Sequence, residues 1–425
     1  MKPRLDLKSA VALVIANTIG VGVFTTSGFT LADLGSRTAV LVAWAIGGVV
    51  AMCGALSYGA LARRFPESGG EYTFLARTVH PLAGFMAGWI SLLVGFSAPV
   101  AVAALALEAY LTPLLGPLVI PRWTATGVLL TLGLVHALRP DAGIRVQNAA
   151  VALKLLGIAA VIATGVALLP GRVAPAAPAG GFPLGAFAMS LVWISFSYSG
   201  WNATVYMAGE VIAPERNLSR SLWIATALVT VLYLGLNAVF LYAAPVEQLA
   251  GHAEIAAIAA AALGGRPMEL AITALIALAL VTSISSITMA GPRVYARMAE
   301  EGVLPRQLLP SGDAPASAIA LQVAIGIALV WLTGLRELLG LVGFTLGLSC
   351  AGTVVGLLLL RRREGAARVP IPGYPVVPVL FLLVTLGGAA AMIANATREA
   401  LLGIAIIVAA VPVWALGPRQ VSPKA

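Results

Sequence analysis

Twelve long apolar stretches run through the chain, and glycine interrupts two of them at corresponding places in the two halves. The first carries Ile19-Gly20-Val21-Gly22-Val23-Phe24 and the sixth carries Tyr198-Ser199-Gly200-Trp201-Asn202. Glycine is a poor helix former, and bare backbone within a bilayer is tolerated only where it faces protein or a polar cavity. A matched pair of such interruptions is the best sequence pointer to the binding site of a membrane carrier. A small polar substrate would then supply the missing hydrogen-bond partners.

Only 10% of the 425 residues are charged and 60% are hydrophobic, too little charge to cover a soluble protein of this length. A bilayer core requires about 20 apolar residues per helix. The stretches fall at roughly 9–31, 38–61, 82–110, 123–138, 146–169, 184–212, 220–243, 268–296, 315–334, 337–360, 374–396 and 400–417. The expected fold class is therefore an all-α polytopic membrane protein with about 12 transmembrane helices, helices 1 and 6 being unwound near the midplane.

The formal net charge of +9 would fit nucleic acid, but its placement argues for a lipid bilayer instead. With the N-terminus inside, nineteen Lys and Arg residues fall on cytoplasmic segments, Arg63, Arg64 and Arg361 to Arg363 among them. Six fall opposite: Arg37, Arg122, Arg172, Arg266, Arg336 and Arg398. This is the positive-inside bias. It predicts a multi-pass cell-membrane protein with both termini cytoplasmic and no nucleic-acid partner. The first stretch, behind Lys2, Arg4 and Lys8, resembles a signal peptide but lacks a convincing cleavage site, so it reads as mature structure.

Cys53 and Cys350 both lie within spans, and His80, His136 and His252 show no ligand spacing, so neither a disulfide framework nor a metal or other cofactor is expected. Paired carboxylates and a Ser-His arrangement are also missing from the pattern, which argues against an intramembrane enzyme. The stretch 170–183, rich in Pro and Gly, reads as an external connector, and the Ala-rich run 253–263 as a helix against the outer face. Ser68-Gly69-Gly70-Glu71-Tyr72 opens a short amphipathic helix between spans 2 and 3.

If spans 1–5 form one unit (1–169) and spans 6–10 another (184–360), the odd number of spans inverts the second relative to the first. The broken helices then occupy equivalent positions. Spans 11 and 12 (374–417) fall outside the repeat.

Candidate site residues follow from this arrangement. An unwound helix at Ile19 to Val23 would aim the amides of Val21, Gly22 and Val23 at the start of the following half-helix, a natural site for a carboxylate. A kink or a small-residue packing face is the plainer reading. Carbonyls at Tyr198, Ser199 and Gly200 would accept from an ammonium group, so the pair of breaks would recognise a zwitterion. Phe196 is placed to close over the substrate or simply to pack in the core. Trp201 and Asn202 would shape a side-chain pocket. Since no charged side chain is expected there, the substrate class is neutral.

Lys154 lies well inside span 5, where a lysine costs roughly 2.5–3.5 kcal/mol on insertion scales unless it faces a polar interior. The alternative is a snorkelling lysine, since it follows Val146 by only eight residues. A buried ammonium would bridge the break at Gly20 to the hydroxyls of Ser283 and Ser286 on span 8 and exchange a proton, making the proton a coupling partner. Glu108, near the end of span 3, reads as an interfacial residue.

These motifs resemble the amino acid–polyamine–organocation (APC) transporter superfamily. Ile19 to Phe24 resembles its first-helix pattern, with Val21 where serine is usual. Phe196-Ser197-Tyr198-Ser199-Gly200-Trp201-Asn202, followed by Glu210 and Pro214-Glu215-Arg216-Asn217-Leu218, is similar to the sixth helix and following loop of the L-type amino acid transporter branch and its bacterial relatives. Gly291-Pro292-Arg293, Glu301-Gly302-Val303-Leu304-Pro305 and the Pro-rich run Pro370 to Pro378 resemble further family segments. The resemblance implies a sodium-symporter-like (LeuT-type) fold of two inverted five-helix repeats and amino acid binding between helices 1 and 6. It also implies a helix-5 lysine, matched by Lys154, standing where relatives bind sodium. Sodium-independent transport follows, with proton symport, exchange and a non-transporting sensor as the readings still open. Oligomeric state is not encoded in any of these features.

Overall fold

A computed structural model describes residues 5–138, 140–169, 184–309, 315–395 and 397–416; the expected connector at 170–183 lies outside them. Seventeen α-helices follow in chain order among these residues. They are α1 (Leu7–Thr18), α2 (Gly22–Leu34), α3 (Arg37–Arg64), α4 (Glu71–Thr78), α5 (Pro81–Ile90), α6 (Ser97–Leu115), α7 (Trp123–Leu138), α8 (Pro140–Leu168) and α9 (Leu184–Tyr198). The rest are α10 (Ala203–Tyr206), α11 (Pro214–Ala243), α12 (Val246–Leu249), α13 (Ile255–Glu300), α14 (Ala316–Leu332), α15 (Leu335–Glu364), α16 (Val376–Asn395) and α17 (Thr397–Leu416). The chain is all-α; its one isolated bridge among the described residues joins Leu5 to Val211.

Local signals place the ends. Asp6 caps α1 by accepting from the Ser9 amide at 2.8 Å, and Ser36 caps α3 through the Ala39 amide at 3.3 Å. Between α2 and α3, Gly35 takes the left-handed conformation (φ 60°) that terminates a helix. Glu108, expected at an interface, accepts from the amides of Arg122 (2.9 Å) and Ala125 (3.1 Å) and so fixes the start of α7.

Nine segments among the described residues are long and apolar enough to cross a membrane. The twelve expected stretches correspond to these nine plus three shorter apolar helices, α7, α9 and α14. With 16 residues, α7 reaches only about 24 Å at 1.5 Å per residue, short of the roughly 30 Å hydrocarbon core. The sixth stretch is shorter than its apolar run because the helix stops at Tyr198 and resumes for only four residues from Ala203. The eighth is longer: Gly264 and Gly265 kink α13, setting the helical Ala-rich run before them apart. A π-helical turn, Ser91–Phe96, joins α5 to α6.

Large apolar side chains cover much of the outside, with Leu134 60%, Leu156 69% and Leu383 67% exposed. Water would penalise such a surface and lipid would not. Inside, α3 packs on α11 and α6 on α13, so spans 2 and 7 and spans 3 and 8 meet in pairs, as inverted repeats require. Helices α1 and α2 pack against α11 and α9, which brings the two interruptions together.

Candidate functional site

The first break comprises Ile19, Gly20 and Val21, between α1 and α2. Ile19 leaves helical geometry (φ −78°, ψ 86°), which frees its carbonyl from the ladder. Lys154, fully buried in the middle of α8, donates to that carbonyl at 3.0 Å. The snorkelling alternative is thereby replaced by a buried lysine of α8 bonded to the broken helix. Ser286 on α13 donates to the Leu13 carbonyl of α1 at 3.4 Å. A Cβ built on Gly20 would stand 3.1 Å from the Ser283 hydroxyl.

The second break, Ser199 to Asn202, turns on Gly200, whose φ of 98° favours glycine. The breaks fit each other closely. A Cβ on Gly200 would meet the Asn17 carbonyl carbon and oxygen at 2.8 Å, and one on Gly22 would meet the Ser197 Cα at 2.6 Å. Both glycines are therefore demanded by backbone approach. Two hydroxyls tie the breaks further. Tyr233 on α11 reaches the carbonyls of Thr18 (2.7 Å) and Ser197 (2.9 Å), and Thr26 pairs with Ser197 at 2.9 Å.

Between the breaks lies a cavity of about 110 Å³. Val21, Gly22, Phe196, Tyr198, Ser199, Gly200, Trp201 and Asn202, all expected at a substrate site, line it, together with Gly20 and Ser283. Ile19 and Val23 are not among the lining residues; both are fully buried, and Ile19 contributes its carbonyl to Lys154 instead. Lys154 and Ser286 likewise sit behind the wall. The lining side chains are uncharged. The first turn of α2 begins at this wall, and the amides of Gly22 and Val23 there have no carbonyl partner within their own helix. An anion is the chemical complement of such a helix start. Ser91, Gly95 and Phe96 bring the π-helical turn into the cavity wall. Phe196, besides lining the cavity, borders a small apolar void with Thr26, Phe29, Trp193 and Leu339.

Beneath Asn202 sits a group the sequence pattern did not mark as functional. Glu71, the first residue of α4, is buried, and its Oε1 accepts from Asn202 Nδ2 (2.6 Å), Tyr58 (3.0 Å) and Tyr206 (3.0 Å), with the Cys350 thiol at 3.9 Å. Its Oε2 is buried without a partner. Burial pushes the Glu71 carboxyl above its usual range, and the three donors oppose that shift. Tyr206 and Tyr233 were also missed. Only the fold reveals what their hydroxyls reach.

Further along the same segment, Glu210 pairs with Arg293 of α13 at 2.9 Å, both side chains being buried. The Glu210 carbonyl also accepts from the Leu5 amide at 2.9 Å, and Ile212 donates to the Leu5 carbonyl at 2.8 Å. No group of three or more His, Cys, Asp or Glu residues that could hold a metal ion occurs among the described residues.

Comparison with known proteins agrees with this architecture. The family model described as amino acid permease matches residues 5–416. The chain is 30% identical to Asc-type amino acid transporter 1 of Mus musculus, over 98% of this chain and 81% of that protein. It is 29% identical to large neutral amino acids transporter small subunit 2 of Rattus norvegicus, with the same coverage. It is 25% identical to the serine/threonine exchanger SteT of Bacillus subtilis, over 97% and 96% of the two chains. Among solved structures, Mhp1, a nucleobase-cation-symport-1 family transporter in a closed conformation with bromovinylhydantoin bound, superposes with a TM-score of 0.62. That match has 16% identity and covers 98% of this chain and 95% of the other, so it speaks for a shared LeuT-like fold alone. The chain belongs to the amino acid permease family of the APC superfamily and is a secondary amino acid transporter, not an enzyme.

Proposed function

We propose that the chain carries neutral L-amino acids across the cell membrane by alternating access, without sodium and coupled to protons. The carrying observation is the Lys154 ammonium on the Ile19 carbonyl, 3.0 Å away at the break beside the cavity. A fixed cation at that point does electrostatically what a bound metal cation would do, holding a free carbonyl of helix 1. Burial disfavours its charge while the carbonyl favours it, so a conformational change that separates the two alters proton affinity.

In this reading the amides at Val21 and Gly22 take the substrate carboxylate, and the backbone around Ser199 and Gly200 takes the ammonium. Uncharged walls at Phe196, Trp201 and Asn202 favour neutral side chains, a preference that the name of the rat relative supports. Residues 1–169 and 184–360 are the inverted repeats, 374–417 lies outside them, and both termini face the cytoplasm. Pairing of spans 2 with 7 and 3 with 8 supports the repeat. A second reading, obligatory exchange, is favoured by the similarity to a serine/threonine exchanger.

Uptake of labelled alanine into proteoliposomes tests both. Proton symport predicts accumulation driven by an inward proton gradient into empty vesicles and indifference to sodium. Exchange predicts uptake only when amino acid is preloaded. A requirement for sodium, or preferential uptake of arginine, would overturn the proposal.

A further inference from the structure

Asn202 lines the cavity, as does Tyr206, and the Asn202 amide nitrogen is fully engaged by protein partners. One Nδ2 hydrogen goes to Glu71 Oε1 at 2.6 Å and the other to the Tyr206 hydroxyl at 2.7 Å. The NH2 group has two hydrogens, so none remains for the cavity. Tyr206 in turn donates to the same Glu71 oxygen at 3.0 Å, as does Tyr58. Three donors therefore converge on one carboxyl oxygen, Oε1, which acts as the acceptor for all of them. This fixes the sense of the Asn202 amide: its NH2 faces Glu71, and what the side chain has left for the cavity is the Oδ1 acceptor.

Of the other polar side chains on the cavity wall, Asn17 is an amide whose Nδ2 is buried without a partner. Ser199 and Ser283 are hydroxyls, which rotate to donate or accept as required. Asn202, held by Glu71, can only accept. An apolar substrate atom placed against it would leave that acceptor desolvated and unpartnered.

We infer that Glu71 is a positioning residue that presents the Asn202 carbonyl oxygen to the cavity and so selects small amino acids whose side chains donate a hydrogen bond, the hydroxyl and thiol class, over apolar isosteres. The inference rests on the neutral amino acid reading above and narrows it. A hydroxyl-bearing substrate satisfies Oδ1; an isosteric methyl group strands it. Glu71 touches no substrate and acts through the asparagine.

Serine and 2-aminobutyrate differ only by hydroxyl against methyl and supply the test. Each is used to compete with labelled alanine for uptake into proteoliposomes, and the ratio of the two inhibition constants is the readout. The native protein should favour serine by about fivefold or more. In Glu71→Gln the glutamine amide can donate, Asn202 is free to reverse, and the ratio should fall to within about twofold of one. Asn202→Leu should abolish the preference or turn it towards 2-aminobutyrate. A merely structural loss lowers uptake of both substrates and leaves the ratio unchanged.

A native ratio near one overturns the inference, and so does a Glu71→Gln protein that keeps the native ratio. If Glu71→Gln does not accumulate, Asn202→Leu decides in the same way. If the native protein takes up neither alanine nor serine, the neutral amino acid reading itself fails. Alanine uptake with no serine preference leaves that reading standing and removes only this one.

Discussion

Lys154 and Ile19 lie 135 positions apart in sequence, and the lysine Nζ donates to the isoleucine carbonyl at 3.0 Å. Each residue accounts for the other. The carbonyl is free because α1 ends at Thr18, and the ammonium is tolerated in the apolar interior because a free carbonyl awaits it. A helix running on through residues 19–21 would supply no such partner, and the lysine would be stranded. The hydrogen bond thus joins the break to α8 and makes the shape of helix 1 sensitive to the charge on one side chain.

Lys154→Gln and Lys154→Ala separate charge from hydrogen bond. Glutamine retains a donor and alanine retains neither. Leaving the Ile19 carbonyl unpartnered should cost about 1–3 kcal/mol. Lys154→Ala should therefore lower the thermal midpoint of the purified protein more than Lys154→Gln does. Both should lose the pH dependence of alanine uptake in proteoliposomes, with some exchange retained. Native pH dependence and rate in either variant would reduce Lys154 to a structural anchor.

Gly22→Ala should cripple transport, whereas Gly185→Ala should be silent. A Cβ at Gly22 meets the Ser197 backbone at 2.6 Å, while nothing lies within 4 Å of one at Gly185. Overpacking of the first kind costs about 1–3 kcal/mol, and it would fall on the contact between the two breaks. Uptake normalised to protein in the membrane should fall at least about tenfold for Gly22→Ala. Equal uptake by the two variants would show that α2 and α9 need not stay in contact during the cycle.

The breaks were legible in sequence because glycine is conspicuous in an apolar run, and Gly20, Gly22 and Gly200 all border the cavity. Lys154 was legible for the same reason, as a lone charge inside a span. Element ends were less so. Hydropathy sees continuous apolar residues through 184–212 and cannot tell that Gly200 turns the chain and leaves only a four-residue α-helix and a short 3-10 turn after Asn202. Partnerships across the fold were illegible. Glu71 lies in a loop-like run whose composition suits a surface helix, yet it is 3% exposed beneath the cavity. Ile19 and Val23 carry the right motif but do not line the cavity: Ile19 lies in the break with its carbonyl on Lys154, and Val23 falls in the first turn of α2, whose rotation the motif does not encode.

Tyr233→Phe removes one oxygen atom and keeps the ring. That hydroxyl serves the carbonyls of Thr18 and Ser197, one beside each break, and is fully buried. Its loss should destabilise this arrangement by about 1–3 kcal/mol. Thermal unfolding in detergent should shift down. A saturating amino acid should still raise the midpoint, because ligand linkage depends on the site and not on the hydroxyl. An unchanged midpoint would mean that water replaces the hydroxyl at no cost.

Glu210 and Arg293 close the far end of the sixth segment, and here charge and backbone act together. The ion pair is buried on both sides at 2.9 Å, and the Glu210 carbonyl holds the Leu5 amide beside it. Removing one partner of a buried pair leaves an uncompensated charge and costs about 3–5 kcal/mol, whereas replacing both with apolar side chains is often neutral. Glu210→Gln should thus be much less stable than the double variant Glu210→Met with Arg293→Met. Because Leu5 and Ile212 hydrogen-bond across this pair, amide exchange at both should quicken in Glu210→Gln and recover in the double variant. If the double variant exchanges as fast as the single one, the ion pair itself holds the N-terminal segment against the bundle. Recovery would assign that task to packing and leave the charges to set which conformation the segment prefers.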